Sequence, residues 1–127
     1  MTVVLDSWAV IGYLENAEPA ATAVAALLER ERPVMSWINL GEVFYVVRRG
    51  FGEDAATSTI RDLRNEITME LPSEDRVVAA ARIKAEFPLA YADAFAAATA
   101  IAHDGALWTG DPELLVASAP WRWHDLR

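Results

Sequence analysis

Short apolar runs bounded by chain breakers alternate with helical stretches along the whole sequence, and few folds can accept that alternation. Val3-Val4-Leu5, Val34-Met35-Ser36, residues 67–71, Ala106-Leu107-Trp108-Thr109 and residues 121–124 read as strands. The first, second and fourth are mostly apolar, as expected where helices cover a sheet on both faces. The stretches between them are long enough for helices, so strand–helix–strand units predict an α/β fold with a parallel sheet. In such sheets functional residues gather beyond the carboxyl ends of the strands.

The helical stretches carry ordinary start and stop signals. Asp6-Ser7 opens a helical turn that stops near Asn16, and Glu18-Pro19 starts a helix reaching about residue 31 before Pro33. A helix over 37–49 ends in Arg48-Arg49 before Gly50, and one over 53–66 has acids in its first turn. Ser73 is a plausible N-cap for a helix to about residue 86. The alanine-rich stretch 91–103, closed by Asp104-Gly105, is the strongest helix signal, and its small residues suit close packing on a sheet. A short helix over 112–117 precedes the last strand.

At 127 residues the chain fits one domain, 1–127. It has no cysteine and two histidines, so a metal here must be held by oxygen. There is no signal-peptide pattern at the N-terminus and no run near the roughly 18 apolar residues of a membrane span, so no membrane association is expected and the cytoplasm is the default location. A net charge of −8 argues against nucleic-acid binding through excess positive charge. An enzyme that cuts RNA needs that charge only at the scissile phosphate, where divalent ions on carboxylates can supply it.

Four isolated acids stand where strands end or helices begin: Asp6 after the first strand, Glu42 in Asn39-Leu40-Gly41-Glu42-Val43, Asp93 in Tyr91-Ala92-Asp93-Ala94 and Asp111 in Thr109-Gly110-Asp111-Pro112. Asp6 is equally readable as an N-cap, and Asp111 before Pro112 more readily so. Asp93 could simply complement a helix dipole. Glu42 is harder to explain away, because nearly all its neighbours are apolar and an unpaired buried carboxylate is costly. Carboxylates about 4 Å apart repel by roughly 4 kcal/mol at an effective dielectric near 20, so a converging set calls for a divalent cation, Mg2+ or Mn2+. Asp104 is about three helical turns from Asp93, too far to share an ion. Glu113, near Asp111, is an auxiliary candidate that a first-turn acid would equally explain.

With these pieces in order, the chain resembles the PIN-domain ribonucleases, and among them the VapC-type toxins of toxin–antitoxin pairs. The likeness covers nearly the full length. It implies a PIN-like three-layer α/β/α sandwich with a central, mainly parallel sheet, and a metal-dependent endoribonuclease with Asp6, Glu42 and Asp93 as principal acids and Asp111 as the fourth. Ser7 and Thr109 match the small hydroxyl residues flanking the site. Asn39, one turn before Glu42, either faces the same cleft or is an exposed polar residue. Trp8 and Pro112 depart from the pattern by being bulkier and stiffer. The resemblance further implies an RNA substrate, a cognate antitoxin and a homodimer.

Five tryptophans could stack on bases or dock on a partner, with core packing favoured for Trp108. Trp121-Arg122-Trp123-His124 reads as a half-exposed edge strand with both tryptophans on one face. Phe44 and Tyr45, with Tyr13 and Phe51, could form an apolar partner surface. Two alternatives stand beside the nuclease: a catalytically inactive PIN-fold module that binds RNA or protein, and a phosphoacceptor receiver domain. The second lacks paired acids after the first strand, and the only lysine, Lys84, falls inside a helix.

Overall fold

The computed structural model describes residues 1–127. Its elements run β1 (Val3–Leu5), α1 (Ser7–Leu14), α2 (Ala20–Arg30), β2 (Val34–Ser36), α3 (Trp37–Phe51), α4 (Glu53–Glu66), β3 (Thr68–Glu70), α5 (Glu74–Glu86), α6 (Tyr91–Ala102), β4 (Ala106–Thr109) and β5 (Arg122–Asp125). All five strands pair in parallel, in the order β3-β2-β1-β4-β5. The expected α/β/α sandwich is present, and its sheet is parallel throughout.

The two-residue period of a strand sorts side chains between the layers. Val3, Leu5 and Met35 point to one face and pack on Val10, Leu27, Leu40 and Leu63 from α1, α2, α3 and α4. Val4, Val34 and Leu107 point to the other, where α5 contributes Ala80 and Ile83 and α6 its alanines. Every residue of α6 from Asp93 to Ala100 is buried. Five of those eight are alanines, whose small side chains let the helix seat so much of its circumference. Leu5, Leu27, Leu40 and Leu107 are wholly buried, each worth about 1.5–3 kcal/mol relative to exposure.

Polar groups fasten the rim. Arg32 donates to the carbonyls of Arg64 (2.8 Å) and Asn65 (2.6 Å), closing the C-terminal end of α4. Glu70 pairs with Arg76 and lies 2.6 Å from His103 Nε2, and Arg76 donates to the buried Thr99 hydroxyl at 3.1 Å. That network ties edge strand β3 to α5 and α6. Arg48 pairs with Glu53 at 2.7 Å, and Arg49 lies over Tyr45 at 4.9 Å.

Two expected boundaries are corrected. The third helix does not stop at Gly50; it continues to Phe51, and Gly52, at φ +96°, is the residue that ends it. The helix expected over 112–117 is absent. Leu114 N–H bonds to the Asp111 carbonyl and Ala119 N–H to that of Val116, both three residues back, which makes turns. The carbonyls of Leu114 and Val116 each accept an indole N–H at 3.0 Å, from Trp121 and Trp123. Those side-chain donors bind carbonyls that a helix ending at 117 would leave without an intrahelical partner. The final strand is an edge strand, one residue later than expected, with Trp121 buried and Trp123 37 % exposed. Trp108 packs against the α1–α4 layer and His124, as core packing required.

No helix is long and apolar enough to cross a membrane.

Candidate functional site

The strand order places a crevice at one point. From β1 the chain moves outward to β2 and β3, then returns to the other side of β1 for β4 and β5. Beyond the carboxyl ends of β1 and β4 the connections diverge, leaving the opening typical of such sheets. Asp6 directly follows β1, and Asp111 follows β4 by two residues. Asn39 and Glu42 lie in the first two turns of α3, and Asp93 in the first turn of α6. Asp6 caps α1, so the positive ends of helices offset part of the negative charge gathered here.

Asp6 is nearly inaccessible, 1 % exposed. Its Oδ1 accepts the Ala9 N–H at 2.9 Å and its Oδ2 the buried Thr109 hydroxyl. The capping reading is therefore correct as geometry, and the same carboxyl borders the crevice. Thr109 also accepts the Asp111 N–H at 3.0 Å, so one hydroxyl links the turns after β1 and β4. Asp111 Oδ1 in turn accepts the Glu113 N–H at 3.0 Å. Glu42 Oε1 accepts the Ser7 hydroxyl at 2.9 Å and faces Asn39 Nδ2 at 3.5 Å.

Asn39 is not an exposed polar residue. It is fully buried, and its amide donates to the Ala92 carbonyl at 3.0 Å, joining α3 to the start of α6 beside Asp93. Its Oδ1 is a buried acceptor that receives no hydrogen bond from the protein.

Asp93, Asp111 and Glu113 each place a carboxylate oxygen within 4.8 Å of the other two. Glu113, an auxiliary candidate by sequence, thus joins Asp93 and Asp111. The charges of Asp6 and Glu42 reach the same place. Asp93 is pushed up to about 7, first by burial and then by repulsion from Asp111, Glu42, Asp6 and Glu113. Asp6 is also raised to about 7, chiefly by burial, against the bonds from Thr109 and Ala9 and with repulsion from Asp111 and Glu42. The signal for Glu113 was its two-residue spacing from Asp111; nothing in the sequence showed that the loop turns both toward α6.

An all-oxygen, multiply charged donor set with a spare amide oxygen nearby suits a hard divalent cation of the Mg2+ or Mn2+ class. Soft ions would need thiolate, and the chain has none.

Gly110 shapes the mouth, because a Cβ there would overlap the Trp8 ring. Gly110→Ala is expected to cost about 1–3 kcal/mol through that overlap. Trp8→Ala in the same chain should remove most of the penalty, a difference that thermal melting of the single and double variants would read.

A family model described as PIN domain matches residues 3–119. Among curated proteins none matches the sequence significantly. Solved structures similar to the chain include DNA-bound VapBC from Salmonella typhimurium, with 15 % identity over 100 % of this chain and 99 % of that one and a TM-score of 0.78. VapBC-1 from nontypeable Haemophilus influenzae gives 22 % identity over 99 % and 98 %, with a TM-score of 0.75. VapC20 of Mycobacterium tuberculosis, a sarcin–ricin-loop-cleaving toxin, gives 19 % identity over 92 % and 95 %, with a TM-score of 0.72. At such identities the likeness to each structure is one of fold.

Proposed function

Because the chain belongs to the PIN domain family, we propose that it is a divalent-metal-dependent endoribonuclease and the toxin of a toxin–antitoxin pair, working in the cytoplasm. The observation that carries the reading is the convergence of Asp93, Asp111 and Glu113 beside Asp6 and Glu42, in the crevice beyond β1 and β4. The neighbours named as VapBC complexes support the antitoxin as partner, and VapC20 supports RNA as substrate. The family resemblance supports a homodimer.

Asp93, Asp111 and Glu113 would hold the ion, with Asp6 and Glu42 adding charge around it. When bound, a divalent cation supplies Lewis-acid charge for the phosphate oxygens and the attacking water. Ser7 fixes Glu42 through Oε1, which leaves Oε2 free to orient a water hydrogen. Thr109 holds Asp6 and the Asp111 backbone in fixed relation, so the acids need no rearrangement when substrate arrives.

Purified protein incubated with RNA in Mg2+ or Mn2+ should give 5′-phosphate and 3′-hydroxyl ends, and none in chelator. Cleavage that persists in chelator, or leaves a cyclic phosphate, overturns the reading. Regulated expression without an antitoxin should arrest growth for the wild type and not for Asp6→Asn.

A further inference from the structure

The loop that carries Asp111 and Glu113 must hold its shape against its own charges. Residues 110–121 contain no helix or strand, and Glu113 is exposed, with a side chain that makes no hydrogen bond to the protein. Without a cation, repulsion from Asp93 and Asp111 favours swinging Glu113 outward. Its place near them therefore depends on the backbone to either side.

On the near side that backbone is tied by the Thr109 hydroxyl, the Asp111 carboxylate and the bond from Leu114 N–H to the Asp111 carbonyl. On the far side the anchors are the two indoles. Trp121 and Trp123 stand two residues apart at the start of β5, and the carbonyls they bind, Leu114 and Val116, stand two residues apart on the loop. β5 is itself fixed by pairing with β4, and Trp121 packs edge-on against Phe87 with ring centres 5.0 Å apart. An indole N–H is a donor only, so each bond fixes one carbonyl with no alternative role for the group.

We propose that Trp121 and Trp123 form a clamp that holds Glu113 turned toward Asp93 and Asp111, which makes Trp123 a positioning residue for cation binding. This rests on the metal-site reading above. Trp121 lies in the core and its substitution threatens folding, so Trp123→Phe, which keeps an aromatic ring and removes the N–H, carries the test.

Two measurements on the full chain decide it. In the metal-free protein, amide hydrogen exchange at Glu113 and Leu114 should quicken about fivefold to tenfold in Trp123→Phe, the effect of one lost hydrogen bond, with the sheet unchanged. Mn2+ affinity, read from the spin-resonance signal of free and bound ion, should weaken by about the same factor, and in a Glu113→Gln background Trp123→Phe should add less than about twofold. Equal Mn2+ affinity of wild type and Trp123→Phe overturns the clamp, as does an undiminished effect in the Glu113→Gln background. Wild-type protein that binds no Mn2+ overturns the metal-site reading and the positioning role together. That result is distinguishable from the others because the wild type alone gives it.

Discussion

Replacing Asp93 by asparagine should abolish cleavage and, in chelator at pH 8, make the protein more stable. Asp93 is 7 % exposed, its carboxylate accepts no hydrogen bond from the protein, and four acids act on it with the same sign. Asparagine has nearly the same shape and no charge. The raised pKa corresponds to a stabilisation on the order of 2–4 kcal/mol on neutralisation. For a chain of this size that is a rise of roughly 5–15 °C in melting temperature. Loss of a carboxylate that would hold the ion should reduce cleavage by at least about a thousandfold, a drop of the order seen when charge-stabilising groups are removed. RNA-end mapping and thermal melts on the same preparation test both halves. Retained activity would remove Asp93 from the machinery. A lowered melting temperature in chelator would mean that the carboxylate is bonded instead of repelled.

Stability of the metal-free protein should fall as pH rises from about 4 to above 7. Asp6 and Asp93 have folded-state values raised to about 7 from 3.8. Between those values the folded chain binds more protons than the unfolded one, so each rise in pH favours unfolding until both groups have ionised. Glu70 acts with the opposite sign. Burial raises its pKa, but the bonds from His103 and Arg76 outweigh that and leave it lowered, so its contribution is lost as pH falls below about 4.5. The expected profile is a maximum in mild acid, with the alkaline limb produced by the crevice. A divalent ion reverses that limb, because it competes with protons for the same oxygens. At a hundred times its dissociation constant it adds about 2.7 kcal/mol. Melting temperatures at pH 5.5 and 8, with chelator and with Mn2+, measure both slopes. A flat profile in chelator would show that the two carboxyls ionise freely.

Most of the architecture was legible because burial and backbone rules act over short stretches. Val3-Val4-Leu5 could only be a strand covered on both faces, and the alanines of α6 could only serve close packing. Asp6, Asp93 and Asp111 stood out because each lies where a strand ends or a helix begins, and Glu42 because it interrupts an apolar helix. What stayed hidden depends on partners distant in sequence. The stretch 112–117 looks helical by itself, and the indoles that bond its carbonyls in the loop come from Trp121 and Trp123, beyond it. Asn39 looked free to be exposed because its bond reaches Ala92, 53 residues away. Glu113 could not be placed without knowing which way that loop turns. Gly50 read as the stop of the third helix, but the positive φ that ends it belongs to Gly52, two residues later.

The strand order also sets when the acidic centre can exist. β1 lies at the middle of the sheet, yet its neighbour β4 is among the last elements made, with Leu5 opposite Trp108 and Thr109 bonded to Asp6 across 103 residues. During synthesis, Asp6, Glu42 and Asp93 emerge while β4 and the loop beyond it are still missing. Pairing of such distant segments comes late in folding as well. A growing chain therefore has no assembled centre until residues 106–113 are made, and a break ahead of residue 106 leaves a fragment with no Asp111 or Glu113. On the toxin reading proposed above, this order of assembly would keep unfinished copies inert.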